Sequence, residues 1–180
     1  MMRGLGIPVF DADAAVHLLT RPAGPAIAPI ARRFPNAVRG HTLDRAALGN
    51  IVFKDRAALA VLEAILHPLV ARVRMEWLQR QVRARERAVV LDIPLLFETH
   101  GERRCNTVWV VSAPAFLQRQ RALARRGMTA ERFQGVLARQ MPDAAKRRRA
   151  DVVLPTGIGR RETLRRIKKA LKILKLDLGR

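Results

Sequence analysis

Short apolar runs alternate along this chain with longer stretches of helical periodicity. Ile7-Pro8-Val9-Phe10 leads into Asp11-Ala12-Asp13 and predicts a buried strand with acidic residues at its carboxyl end. A helix is expected over residues 14–19, then a Pro/Gly-rich turn through Arg21-Pro22-Ala23-Gly24-Pro25; residues 21–29 are the only linker-like stretch. Residues 26–87 read as helical. Thr42-Leu43-Asp44-Arg45 offers a cap before Ala46-Ala47-Leu48, Asp55 starts a helix through Leu62 and Leu66, and His67-Pro68 is expected to interrupt it before a further helix to about Arg87. Continuous apolar strands are expected over residues 88–93, 107–112 and 151–154. Between the last two, a helix over residues 114–126 is broken by Gly127, and Thr129 caps another that takes in residues 132–140. Gly157-Ile158-Gly159 then turns into a basic C-terminal helix over residues 162–176.

Apolar strands separated by helices indicate an α/β fold whose parallel sheet is covered by helices on both faces. Ligands bind beyond the carboxyl ends of such strands. Three strands carry polar residues there: Asp11 and Asp13 on the first, Asp92 on the second, Ser112 on the third. The long helical insert between the first two strands suits a separate substrate-holding lobe, and there is no internal repeat.

Composition narrows the class. With 180 residues, 49% of them hydrophobic, the chain fits one domain with a sizeable core and is not a disordered tail despite its net charge of +20. The single cysteine, Cys105, excludes a disulfide framework and a cysteine-based zinc site. No apolar run approaches the roughly 18 residues of a membrane span, and Met1-Met2-Arg3-Gly4 does not open a secretory signal. A reduced, cytoplasmic protein is expected. Of the 35 basic residues 29 are Arg, spread over nearly every polar stretch. With 4% aromatics and no Tyr, stacking platforms for single-stranded nucleic acid are poorly supplied. Nucleic-acid binding, an enzyme for polyanionic small molecules and a plain coding bias toward Arg and Ala all fit the charge.

A set of motifs in order says more. Leu5-Gly6-Ile7-Pro8-Val9-Phe10-Asp11-Ala12-Asp13, Leu43-Asp44-Arg45 with Leu48 and Phe53, His67-Pro68-Leu69, Leu91-Asp92-Ile93-Pro94-Leu95-Leu96-Phe97-Glu98, Arg121 and Arg125, Gln140, and Ala150-Asp151 together resemble dephospho-CoA kinase, over essentially the whole chain to about residue 170. The resemblance implies transfer of the ATP γ-phosphoryl group to the ribose 3′-hydroxyl of dephospho-CoA with Mg²⁺, the last step of coenzyme A synthesis. It implies a P-loop-kinase-like sheet, a helical CoA-binding lobe over about residues 26–87, a lid over about 115–147, and ATP and dephospho-CoA as partners. Nucleic acid is not expected; a monomer is, with oligomers left open. One departure stands out. The family's G-x-x-x-x-G-K-[ST] loop precedes this first strand, and no Gly-Lys pair occurs anywhere here. The first central strand, that loop and most of the following helix are expected to be missing, through a start codon assigned at an internal methionine or through a genuine loss. A non-catalytic nucleotide- or nucleic-acid-binding relative with the same fold is the alternative function.

Each candidate residue has a plain reading beside the one the family implies. Asp11 and Asp13 suit a helix N-cap; by resemblance Asp13 falls on the proposed catalytic base, and Asp11 near metal and substrate. His67 is a helix-breaker position by pattern and a substrate-site residue by resemblance, as is Arg45, by default a solvated helix residue. By the same resemblance Pro94 and Leu95 match substrate-binding positions. Asp92 ends its strand as an indirect Mg²⁺ organiser does. Arg121 and Arg125, four apart and so on one helix face, match lid arginines that neutralise phosphate charge; Arg139 and Lys146 match ATP-side basic positions. Lys146-Arg147-Arg148-Arg149 otherwise reads as a solvated face. Trp77 and Trp109 are packing residues, Cys105 has no activating neighbour, and Ile167, Leu171 and Leu174 share one face of the C-terminal helix, suited to closing the core or to touching anionic lipid.

Overall fold

One side chain sets the entry into the first helix. Asp11 ends strand β1 (Val9–Asp11), and its Oδ1 accepts the Ala14 N–H at 2.9 Å, capping helix α1 (Ala12–Leu19). The computed structural model describes residues 1–125 and 127–174; the expected helix ends at Arg126 and Leu176 lie outside the described residues. The chain divides into two compact units, Met2–Ile93 and Pro94–Arg180 with Met1, and each is built around its own parallel strand pair.

In Met2–Ile93 the core forms around buried Leu19, Ala26, Ile30, Phe34, Ala37 and Leu48. Helix α2 (Ile27–Arg33) supplies Ile30, and the chain turns into it through Gly24. A Cβ on Gly24 would lie 2.4 Å from the Leu19 carbonyl oxygen, so only glycine fits this turn. The stretch read as a linker is thus a packed corner, with Ala26 N–H donating to Leu19 O at 3.1 Å. A two-stranded antiparallel ribbon follows, β2 (Val38–Arg39) and β3 (Thr42–Leu43), turning at Gly40 with φ +57°. Sequence patterning gave no sign of it, because two-residue strands are too short to alternate. Asp44 then caps α3 (Arg45–Lys54), accepting from Ala46 N and Ala47 N, and Asp55 caps α4 (Arg56–Arg83) the same way through Ala57 N and Ala58 N.

Helix α4 overturns one expectation. His67-Pro68 does not interrupt it: 28 residues run continuously with Pro68 inside. An interior proline forfeits the hydrogen bond to the carbonyl four residues back, here that of Ala64. Leu62, Ile65 and Leu66 before it and Leu69, Val70 and Val73 after it pack against the same core, and that burial outweighs the local loss. The helix also reaches the strands, with the Trp77 and Phe10 ring centroids 5.6 Å apart. Strand β4 (Val90–Asp92) then pairs in parallel with β1, Val9 opposite Val90 and Asp11 opposite Asp92.

In the second unit, β5 (Trp109–Ser112) and β6 (Val152–Pro155) pair in parallel, Trp109 opposite Val152 and Ser112 opposite Pro155. Between them lie α5 (Ala115–Leu123), α6 (Ala130–Leu137) and α7 (Asp143–Arg149), the second capped by Thr129 Oγ1 as expected. Phe97, Val108 and Val110 form the buried centre, with Leu96, Cys105, Met141 and Ala150 against it. Helix α8 (Arg160–Ile173) lays Thr163, Ile167, Ala170 and Leu171 into the core beside β6. Its apolar face closes the core, as one of the two readings had it; Leu174, expected on that face, is exposed. The fold is therefore mixed α/β with parallel strands. Its described strands pair as three two-stranded sheets.

Candidate active site

The parallel register of β1 and β4 sets Asp11 and Asp92 side by side at the strand ends, and the immediate start of α1 adds Asp13 two residues on, within its first turn. Asp11 is fixed by its cap to Ala14 N, with Arg3 Nη2 3.9 Å from its other oxygen. Asp13 lies exposed in the first turn of α1, where the helix dipole favours a negative charge. Asp92 registers the crowding. Partial burial first, then the charges of Asp11 and Asp13, push its carboxyl above the ordinary value, while Arg3 pulls the other way. Three carboxylates gathered at one strand end can take up a proton or favour a cation.

Their donor set is oxygen only, the kind Mg²⁺ takes. Among the described residues no group of three His, Cys, Asp or Glu side chains converges closely enough to hold a metal by itself. Carboxylates placed this way could meet Mg²⁺ only through water and phosphate oxygens.

The same unit places Arg45 at the start of α3, where its Nη2 donates to Thr20 Oγ1 at 2.8 Å. Thr20 is 4% exposed and donates in turn to Val16 O at 2.7 Å, so the guanidinium is fastened to the end of α1 while Arg45 remains exposed. His67 lies exposed on α4.

In the second unit Pro94 and Leu95 open an exposed turn that Phe97 anchors in the core. Lys146, expected on the ATP side, pairs with Glu98: Nζ stands 2.8 Å from Oε1, with both side chains 16% exposed. It also donates to Pro94 O at 3.5 Å, and Glu98 Oε1 accepts Met141 N–H at 2.8 Å. Burial alone would raise the Glu98 carboxyl, but the Lys146 bond, the Met141 N–H, its own backbone and the Lys146 charge outweigh it and hold it below its ordinary value. Three residues on, Arg149 pairs with Glu102 and lies 4.6 Å from the Phe97 ring centroid. The basic tract read as a solvated face is therefore half structural, with Arg147 and Arg148 exposed.

Arg121 and Arg125 do not share a helix face, because α5 ends at Leu123 and Arg125 lies in the tightened turn before Gly127, whose φ is +77°. Arg121 donates to Thr156 O at 3.0 Å, and Thr156 Oγ1 donates to Ser112 O at 3.1 Å. Buried Ser112 donates its own hydroxyl to Asp143 Oδ2 at 2.9 Å. Arg139 lies exposed just beyond α6. Sequence reasoning assigned no role to Glu98, Glu102, Asp143, Thr20 or Thr156, whose partners stand 25 to 48 positions away; no local spacing announces such pairs.

Parallel strand pairs joined through helices, with carboxylates gathered at the carboxyl ends of β1 and β4, define an α/β protein whose ligand site lies beyond those ends. Comparison with known proteins says which. The family profile of dephospho-CoA kinase matches residues 1–159. The dephospho-CoA kinase of Paramagnetospirillum magneticum is 60% identical over 147 residues, covering 82% of this chain and 69% of that one. That of Rhodospirillum rubrum is 48% identical, covering 100% of this chain and 86% of its own length. A crystal structure of TT1252 from Thermus thermophilus superposes with a TM-score of 0.79 at 39% identity, covering 96% of this chain and 86% of that one. Dephospho-CoA kinase from Campylobacter jejuni, at 23% identity, shares the fold, with a TM-score of 0.66 over 96% of this chain and 87% of that one. The chain belongs to the dephospho-CoA kinase family and is a phosphotransferase of that kind.

Proposed function

We propose that the residues of this chain carry out phosphoryl transfer from ATP to the ribose 3′-hydroxyl of dephospho-CoA, with Asp13 as the base. The observation that carries the assignment is the gathering of Asp11, Asp13 and Asp92 at the carboxyl ends of β1 and β4, with Asp13 exposed beside a capped and occupied Asp11. Asp13 is open to solvent and, unlike Asp11, caps no helix, which leaves its carboxylate able to accept a hydroxyl proton. Asp11 and Asp92 would hold Mg²⁺ through water; the ion, when bound, neutralises charge on the phosphates. Asp11 also borders the acceptor.

Arg45 and exposed His67, from the lobe spanning about residues 26–87, contact the acceptor, and Pro94 with Leu95 bounds it. In the lid, about residues 115–147, Arg121, Arg125 and Arg139 face the ATP phosphates, and Arg121 reaches them by leaving Thr156. Lys146 acts at one remove, by holding Glu98.

The residues present offer no Gly-Lys phosphate cradle, so they supply the acceptor side, the carboxylates and the lid arginines of a P-loop-kinase-like site. The test measures coenzyme A formation from dephospho-CoA and MgATP, on this chain and on the chain extended at its N-terminus by a strand and a G-x-x-x-x-G-K-[ST] loop. Turnover is expected from the extended chain, with this chain slower by several orders of magnitude. Equal inertness of both would favour the non-catalytic reading. Calorimetric titration is expected to show weak dephospho-CoA binding by this chain and still weaker ATP binding.

A further inference from the structure

Strand β6 pairs on one side only, with β5, so among the described residues its other edge has no strand partner. Two concavities, of about 680 and 350 Å³, meet at this strand and share Val153. Helix α8 walls the first with Arg165, Arg166 and Lys169, and α7 walls the second with Arg147 and Arg148. Val152, Val153 and Leu154 give the first an apolar floor. All five cations are exposed. The acids beside them are engaged: Glu162 pairs with Arg165 and Arg166 at 2.7 and 3.0 Å, and Asp151 Oδ2 accepts the Val108 N–H at 2.7 Å.

We propose that this edge is a docking groove for an extended acidic segment of another protein, added as a strand beside β6 with its carboxylates toward the cations of α7 and α8. Three features select that occupant. Main-chain groups on an open strand edge are satisfied by another backbone, and an apolar floor takes every second side chain of an extended peptide. The rim surplus of positive charge matches acidic side chains between the apolar ones. A second copy of this chain would bring cation against cation. A nucleic-acid duplex matches the charge but has no use for the strand edge or the apolar floor. The competing plain reading is that the cations merely guard an exposed edge against self-association.

Fluorescence anisotropy of a labelled peptide alternating Glu and Val, titrated with the full chain, separates these. Saturable binding in roughly the ten-to-hundred micromolar range is expected, weakening as salt rises. N-methylation of alternate residues should weaken it at least about tenfold by removing main-chain donors, and an alternating Lys-Val peptide should not bind. A chain carrying Arg147→Ser, Arg148→Ser and Lys169→Ser should lose about tenfold or more in affinity while melting at the parent temperature. If that variant melts lower, the N-methylated peptide on the unaltered chain decides in its place. Absence of saturable binding, equal binding of the N-methylated peptide, or tighter binding of oligoglutamate or a DNA duplex would overturn the proposal. So would sedimentation showing that the triple variant self-associates with its peptide affinity unchanged. None of these readouts depends on kinase turnover.

Discussion

Asp11 and Asp92 stand opposite each other in the parallel register of β1 and β4, each the last residue of its strand. The pairing places two like charges at one end of a strand pair, with Asp13 two residues beyond Asp11, and the pKa of the Asp92 carboxyl rises above its ordinary value. Such an arrangement costs stability in the free protein and is relieved when a cation or a proton arrives.

The pH dependence of that cost can be measured. Because the folded-state value of Asp92 is raised, the folded protein holds the proton more firmly than the unfolded chain does. The destabilisation is absent well below the ordinary value of 3.8, grows as pH rises above it, and is complete only above the raised folded-state value. Asp92→Asn should raise the melting temperature at pH 7 by roughly 1–3 °C, a modest figure because the side chain is partly solvated. The gain should vanish in acid, and added Mg²⁺ should raise the melting temperature of the parent more than that of the variant. A variant that melts lower than the parent at pH 7 would contradict the like-charge account.

Asp11 and Asp13 should separate cleanly by substitution. Asp11→Ala removes the cap on Ala14 N and should cost about 1 kcal/mol in denaturant unfolding, whereas Asp11→Asn should cost little, since Asn caps as well. Asp13→Asn should leave stability nearly unchanged. In the N-terminally extended chain it should lower turnover roughly a hundredfold with little change in dephospho-CoA affinity. An Asp13→Asn enzyme as fast as its parent would remove Asp13 from the role of base.

The Glu98–Lys146 pair is a stability element. Replacing one partner, as in Glu98→Gln or Lys146→Met, leaves the other charge largely buried and should cost about 2–4 kcal/mol, while the double replacement recovers much of the loss. Glu98 is held below its ordinary 4.5, so its contribution is in full force above that value and is lost as pH falls through it toward the folded-state value. Urea melts of the four proteins at neutral pH and in acid test both statements. A pair that contributes nothing at pH 7 would show as single replacements unfolding at the parent's midpoint.

Pro68 offers a test in the other direction. Pro68→Ala restores the N–H that α4 lacks toward Ala64 O and should stabilise the protein by about 1–3 kcal/mol. If the proline serves to present His67 to the acceptor, the stabilised variant should bind dephospho-CoA less tightly; unchanged affinity would leave the proline without that role. Thermal unfolding and calorimetric titration give the two readings.

What the chain's own order settled is what depends on neighbours in sequence. Asp44, Asp55 and Thr129 are read as caps because a cap bonds an N–H two or three positions on. The strand cores at residues 9–11, 90–92, 109–112 and 152–154 are read from continuous apolar runs, and the order of motifs from Asp11 to Asp151 carries the family. The apolar side of α8 is read from its period, except at Leu174, where the helix has run past the core.

Only the tertiary structure decided the rest, because those outcomes turn on partners far along the chain. Pro68 stays helical because the core it flanks is assembled from residues 19 to 73, more burial than one lost hydrogen bond can offset. Lys146 meets Glu98 across 48 positions and Arg149 meets Glu102 across 47, so two cations of a tract that looks uniformly solvated are tied into long-range pairs. Asp11 and Asp92 share a strand end because parallel strands must be joined by a long crossover, which here is the helical insert itself. Local spacing could name each carboxylate; their meeting at one strand end is a property of that crossover.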